Sequence, residues 1–324
     1  MVDIHTESFV WTRLTGYDLT RRHDPGPLGA RYARQADLPR MREAGLAGAV
    51  LSVATNPFRR APRRTDVLLA NLDRLRRTLA GYPDVEVVSG ATSWRRARSA
   101  RRLGCFLAVQ GGNAIGRVED LARLPEDVVR VTLVHLTDSA VGATSSPLAR
   151  RRMGGLTPFG RALVEALDDQ SVLVDLAHVS RTGFWDAFDV HADGRPLIVS
   201  HTGLWGVQPS WRNLTDDQVR GIALTGGVVG VMYHRGFLGR PSWKVGAEAV
   251  VRHLEHAIAV GGEEVAALGS DWDGMIVPPR DMPTVSELPV LVDHMLRRGW
   301  RPERVARVLG GNWLRVVEAI RPEV

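Results

Sequence analysis

Apolar residues in this chain fall into short runs separated by longer periodic stretches. The runs cover residues 2–6, 47–54, 105–110, 129–136, 171–177, 196–201, 226–233 and 265–270. They are rich in Val, Ile and Leu and do not alternate strictly with polar residues, the pattern of strands buried on both faces of a parallel sheet. Helical periods at 37–45, 65–80, 116–124, 158–169, 181–189, 215–224, 246–260 and 286–298 lie between them. Thr157-Pro158 and Thr215-Asp216-Asp217 are start signals for two of these helices. Strands and helices in this alternation predict an α/β fold, a (β/α)₈ TIM barrel formed by residues 1–324 as a single domain. A further run at 85–89 competes for the third strand position or lies outside the barrel. Two stretches without a period, 8–36 and 137–156, follow the first and fourth strands; both are expected as irregular loops at the catalytic face.

The apolar runs end in polar, metal-capable residues. His5 closes the first, Gln110 the third, His135 the fourth, His178 the fifth, His201 the sixth and Asp271 the eighth. A barrel builds its active site from such residues at the C-terminal ends of its strands. His5 and Glu7 are two apart, so on a strand they share a face and can reach one ion. His178 and His201 offer a pair of neutral imidazoles, which suit zinc. Asp271 can accept a proton from water and pass it to a leaving amine. The neighbouring Asp273-Gly274 reads better as a turn. His135 can donate to a developing oxyanion. Arg212, followed by Asn213, offers a fork for a carboxylate.

Composition narrows the choices. The chain has 324 residues, 44% of them hydrophobic, which is ample for a barrel core. The net charge is +6, but the arginines are scattered rather than gathered on one element, so nucleic-acid binding is not expected. The single cysteine, Cys105, sits in an apolar run and reads as a buried core thiol, with no disulfide framework. No stretch approaches the ~18 apolar residues of a membrane span, and a strand beginning at residue 2 leaves no room for a leader. A cytoplasmic protein without membrane contact is expected.

The segments VDIHTE, AVQGG, RVTLVHL, GGLTPFGRALVEAL, VLVDLAHVS, PLIVSHTG, RNLTDD, GGVVGVMY, HLEHAIAVGG, LGSDWDG and GGNWLRV appear in one order from residue 2 to about 317. In this the chain resembles the membrane dipeptidase family, peptidase family M19, among the metal-dependent amidohydrolase-like barrels. The resemblance implies a zinc-dependent hydrolase of dipeptides or small amino-acid-derived amides, usually a homodimer. It places His5, Glu7 and Gln110 at a first zinc, with Gln110 in the bridging position, and His178 and His201 at a second. It makes Asp271 the proton shuttle and His135 the group that polarises the scissile carbonyl. It makes Arg212 the holder of the substrate carboxylate, and Asn213 and Tyr233 complete the expected substrate contacts.

Two positions depart from the family pattern. Glu7 stands where the family has an aspartate, and Gln110 where it has a bridging glutamate. Glutamate keeps the charge but moves its oxygens by about one C–C bond, comparable to the ~1 Å shifts that damage catalysis. An amide brings one neutral oxygen and an NH₂ that repels cations. The expectation is therefore one or two zincs, with the His5/Glu7 site weak or empty. The alternatives are a tailoring enzyme of altered chemistry on the same scaffold and a non-catalytic binding homologue.

Overall fold

The computed structural model describes residues 1–26, 29–54, 63–147 and 154–322. Among the described residues nine strands form: β1 (Val2–Thr6), β2 (Gly48–Ala54), β3 (Val85–Val87), β4 (Leu103–Gln110), β5 (Val128–Thr132), β6 (Leu173–Asp175), β7 (Val199–Thr202), β8 (Val229–Val231) and β9 (Ala266–Leu268). Every pairing between them is parallel. Hydrogen bonding runs β1-β2-β4-β5-β6 in one sheet and β7-β8-β9 in another. Parallel bridges Asp175↔Ile198 and Thr6↔Trp272 join the two sheets at both seams, so the eight strands other than β3 close into a ring. β3 stays outside. It pairs Val85↔Leu103 to Val87↔Cys105 on the first half of β4, while β5 takes the second half from Leu107 onward. The run at 85–89 thus resolves as a strand outside the barrel.

The expected helices form, with two corrections. The period at 116–124 becomes a 3₁₀ helix, Val118–Arg123, rather than an α-helix. The stretch 8–36 is not wholly irregular: Phe9–Thr15 is helical, burying Phe9 and Thr12 and ending at Gly16, whose φ of 73° is the left-handed conformation glycine tolerates best. Six residues of the stretch 137–156, those at 148–153, lie outside the described residues. The cap signals act as read. Thr157 Oγ1 accepts from Gly160 N–H with Pro158 in the first turn, and Thr215 forms a capping box with Gln218.

Two apolar clusters result. The larger lies between the strands and the surrounding helices. The smaller joins Ile4, Val50, Phe106, Ala108, Ile198 and Ala267 from strands around the ring, and so fills the barrel. The helix Asn312–Ile320 closes the end where the strands begin, its Trp313 meeting Phe106 edge-on at 5.8 Å. Above this apolar layer the ring turns polar. Ser52, Arg130, Thr132, Asp175 and Ser200 are all buried in the strands or at their ends and bond to one another. The candidate site stands on that polar layer.

Candidate active site

The barrel brings the sequence-predicted metal residues into one cluster. Nε2 of His178 and Nε2 of His201 are 2.8 Å apart. The rings of His5 and His201 stack at 3.8 Å, and His135 meets His178 edge-on at 4.9 Å. The Gln110 amide reaches to 3.5 Å of His178 Nε2. Asp271 Oδ1 is 3.5 Å from His5 Nε2, and Glu7 Oε1 is 3.9 Å from His135 Nε2. One ligand atom each from His5, His201 and Asp271 lie within 4.8 Å of one another.

Backbone geometry explains how the loop residues reach the centre. His178 and Asp271 lie past the ends of β6 and β9, with φ of 67° and 64°. Left-handed backbone is uncommon outside glycine, tolerated best by Asn, Asp and His, and it turns these side chains inward. Asp271 N–H donates to His5 O, and Glu7 N–H to Trp272 O, which tie the segment after β9 to the end of β1. A Cβ at Gly274 would stand 2.2 Å from Asp271 Oδ1, so glycine there leaves room for the carboxylate. Asp273 has another task. Its carboxylate accepts from Ser8 Oγ at 2.6 Å and from the N–H groups of Gln35 and Ala36, pinning the loop over the barrel.

Burial controls the protonation states. His5, His178 and His201 are all pushed well below the usual imidazole range, first by burial and then by neighbouring cations. His135 is lowered to about 4 by burial and by Arg212. The carboxyls move the other way. Glu7 is raised to about 7 by burial, and Asp271 well above the carboxylate range by burial and by Glu7. Neutral imidazoles are the form that binds a metal.

The layer beneath decides which nitrogens are free. Ser200 Oγ gives its proton to Asp175 Oδ2 at 2.6 Å and lies 2.8 Å from His201 Nδ1. A hydroxyl that has already donated can only accept, so His201 carries its proton on Nδ1 and turns an unprotonated Nε2 toward His178. This half of the site fits a metal. The other half does not fit as well. The Gln110 amide lies 2.8 Å from Thr132 Oγ1, whose one proton goes to Asp175 Oδ2 at 2.5 Å; whichever way the amide is turned, it brings no charge. Glu7 Oε1 and His5 Nε2 are buried with no hydrogen-bond partner among the described residues.

A cavity of about 190 Å³ opens beside this cluster, lined by His178, Trp211, Arg212, Phe237, Asp271 and Met275 among others. Arg212 Nη2 donates to His201 O at 2.7 Å, and burial lowers its guanidinium to about 10, still charged at neutral pH. Asn213 does not face the cavity: its amide donates to Gln208 O and Phe237 O. Tyr233 is buried against Trp272 at 5.2 Å and does not line the cavity either. A larger depression of about 600 Å³ lies at the opposite end of the barrel, around Pro125 and Arg321, away from the histidines.

Arg130, Thr132, Asp175 and Ser200 are absent from the sequence-predicted site. A signal for two of them was present. An arginine inside VVRVTLV and an aspartate inside VLVDLA are opposite charges within buried runs, and a buried charge needs a partner. The structure pairs them, Arg130 Nη1 to Asp175 Oδ2 at 2.5 Å, both fully buried.

A closed parallel barrel with histidines and carboxylates converging where its strands end is the architecture of the amidohydrolase-like hydrolases. The chain belongs to the membrane dipeptidase family, peptidase family M19, whose model matches residues 4–322. It is 31% identical to rat dipeptidase 3 over 296 residues, 89% of this chain and 59% of the relative. It is 30% identical to human dipeptidase 3 over 298 residues, 89% of this chain and 60% of that protein. The chain thus spans about 59–60% of the length of these curated relatives. Among solved structures, the M19 metallopeptidase dipeptidase AC superposes with a TM-score of 0.87 at 26% identity, covering 98% of this chain and 97% of that one. A metallopeptidase from Rhodobacter sphaeroides, solved with a phosphinate mimic of the dipeptide L-Ala-D-Ala, gives 0.85 at 26% identity with 98% of each chain covered. No helix of the described residues is long and apolar enough to cross a membrane.

Proposed function

We propose that this protein is a metal-dependent hydrolase that cleaves the amide bond of a dipeptide or a small amino-acid-derived substrate, with one zinc held by His178 and His201. The observation that carries the reading is the Asp175–Ser200–His201 chain, which leaves the His201 Nε2 unprotonated 2.8 Å from His178 Nε2. A divalent ion there would act as a Lewis acid toward the scissile carbonyl and toward water. Everything else falls to the chain's own groups. Arg212, charged and at the cavity wall, holds the substrate carboxylate. Asp271, also at the wall, accepts a proton at its carboxylate and returns it to the leaving amine. Its raised affinity for protons suits that exchange. His135, neutral beside His178, donates to the oxygen that gains charge. The small cavity and the dipeptide mimic bound by the Rhodobacter sphaeroides relative support a substrate of dipeptide size.

The test is hydrolysis of a panel of dipeptides by the purified chain before and after chelation and zinc return. Turnover that falls on chelation and recovers with zinc supports the reading. A chain that binds zinc yet hydrolyses none of the panel favours altered chemistry on the same scaffold, the reading to which the neutral Gln110 points. The homodimer common in the family is part of the proposal and is tested by sedimentation.

A further inference from the structure

The buried polar layer contains one permanent cation, and it sits under the half of the site that fits a metal poorly. Arg130 is fully buried on β5. Its Nη1 donates to Asp175 Oδ2, Thr132 Oγ1 and, at 3.3 Å, Ser200 Oγ. Its Nη2 donates to Ser52 Oγ at 2.8 Å and stands 3.0 Å from His5 Nδ1.

A guanidinium has only donors. The imidazole nitrogen facing it at 3.0 Å must therefore be the acceptor. The two other neighbours of His5 Nδ1 do not change this. Ser52 Oγ, at 3.3 Å, already accepts from Arg130 and has its own proton to give. Ser200 Oγ, at 3.5 Å, is farther away and its proton goes to Asp175. With Nδ1 as acceptor, a neutral His5 carries its proton on Nε2. That nitrogen points into the site, has no hydrogen-bond partner among the described residues and faces Asp271 Oδ1 at 3.5 Å. The contrast with His201 is direct. There the same layer offers Nδ1 an acceptor and frees Nε2 for a metal; under His5 it offers a donor and spends Nε2 on a proton.

We propose that Arg130 is a positioning residue that converts His5 from a metal ligand into a hydrogen-bond donor directed at Asp271. The guanidinium supplies, from below, positive charge in the half of the barrel where a second cation would otherwise sit. It acts together with Gln110, so the loss of the bridging carboxylate is not the only obstacle to a second metal. The zinc arm of the test rests on His178 and His201 holding a metal; the tautomer arm does not.

The experiment uses the full chain labelled with ¹⁵N-histidine. Two-bond ¹⁵N–¹H spectra of the metal-free protein read which nitrogen of His5 is protonated, with a His5→Gln variant assigning the signal. The expected result is an Nε2–H tautomer in the wild type; in Arg130→Leu the Ser52 hydroxyl is free to give or take a proton at Nδ1, so the Nδ1–H form becomes populated. Zinc is then counted per chain. Gln110→Glu alone is expected to stay at about one, and Gln110→Glu with Arg130→Leu to rise to about two, because only the double variant has both a bridging carboxylate and a free His5 nitrogen. An Nδ1–H tautomer in the wild type, or about two zincs in Gln110→Glu alone, overturns the proposal. If Arg130→Leu does not fold, the wild-type tautomer and the Gln110→Glu count still decide. If no variant binds zinc, the proposed function fails while the tautomer still decides the role of Arg130.

Discussion

His178 and His201, contributed by loops or strands after β6 and in β7, bring their Nε2 atoms to 2.8 Å of each other. Two imidazoles bound to one zinc at ~2.0–2.1 Å in a tetrahedral site stand about 3.3 Å apart, so closure on an ion needs only a small opening of the pair. Replacing either histidine with Ala is expected to weaken zinc binding by more than the ~10–100-fold typical of losing an outer partner. Competition against a chromogenic chelator measures this. Unchanged affinity in both variants would remove the pair from the metal site.

Ser200 should matter for zinc without touching it. Ser200→Ala takes away the acceptor that keeps the His201 proton on Nδ1. The expected loss is ~10–100-fold in zinc affinity, the scale for an outer-layer partner of a metal-bound histidine. The same titration, run beside a thermal melt, separates this from a general loss of structure. A Ser200→Ala protein with unaltered zinc affinity would contradict the tautomer assigned to His201.

Arg212 should discriminate substrates by their C-terminal charge. A charge-assisted hydrogen bond contributes about 1.5–3 kcal/mol, so the wild type should prefer a dipeptide over its C-terminal amide by ~10–100-fold in kcat/KM. In Arg212→Met the two substrates should become nearly equal. Retention of the preference in that variant would place the carboxylate elsewhere.

His253 gives a pH prediction away from the metal cluster. Its Nδ1 accepts from Leu204 N–H at 2.8 Å, and burial lowers its imidazole to about 4. The folded-state value lies below the unfolded one, so the unfolded chain binds the proton first and stability falls as pH drops. The window runs from about 6.5 down to about 4, and full passage through it costs about 3 kcal/mol. His253→Asn keeps an acceptor for Leu204 without the titration. The Tm gap between wild type and variant should shrink as pH falls through this window. A gap independent of pH would show that His253 does not stay neutral in the fold.

The barrel was legible because its signal is repetitive. Eight apolar runs, each bounded by a period of different length, leave little choice of architecture, and His5, His178, His201 and Asp271 each follow such a run. The helix Phe9–Thr15 was not legible, since seven residues with two buried positions do not make a period. Ala91–Ser99 was hidden for a related reason: three arginines and two serines mask a face that buries only Ala91, Ser93, Trp94 and Ala97. Asn213 and Tyr233 show a different limit. Their neighbours in sequence face the cavity, but Asn213 bonds to loop carbonyls and Tyr233 packs on Trp272, and only the fold decides which way each turns. The pairing of Arg130 with Asp175 depends on β5 and β6 being neighbours, a fact of topology rather than of local pattern.

Anomalous diffraction at the zinc edge, on crystals of the wild-type chain grown with zinc, tests the central claim most directly. A single strong peak between His178 and His201, with none between His5 and Glu7, is the predicted result. Two peaks of equal height bridged through Gln110, or no peak beside His178 and His201, would contradict it.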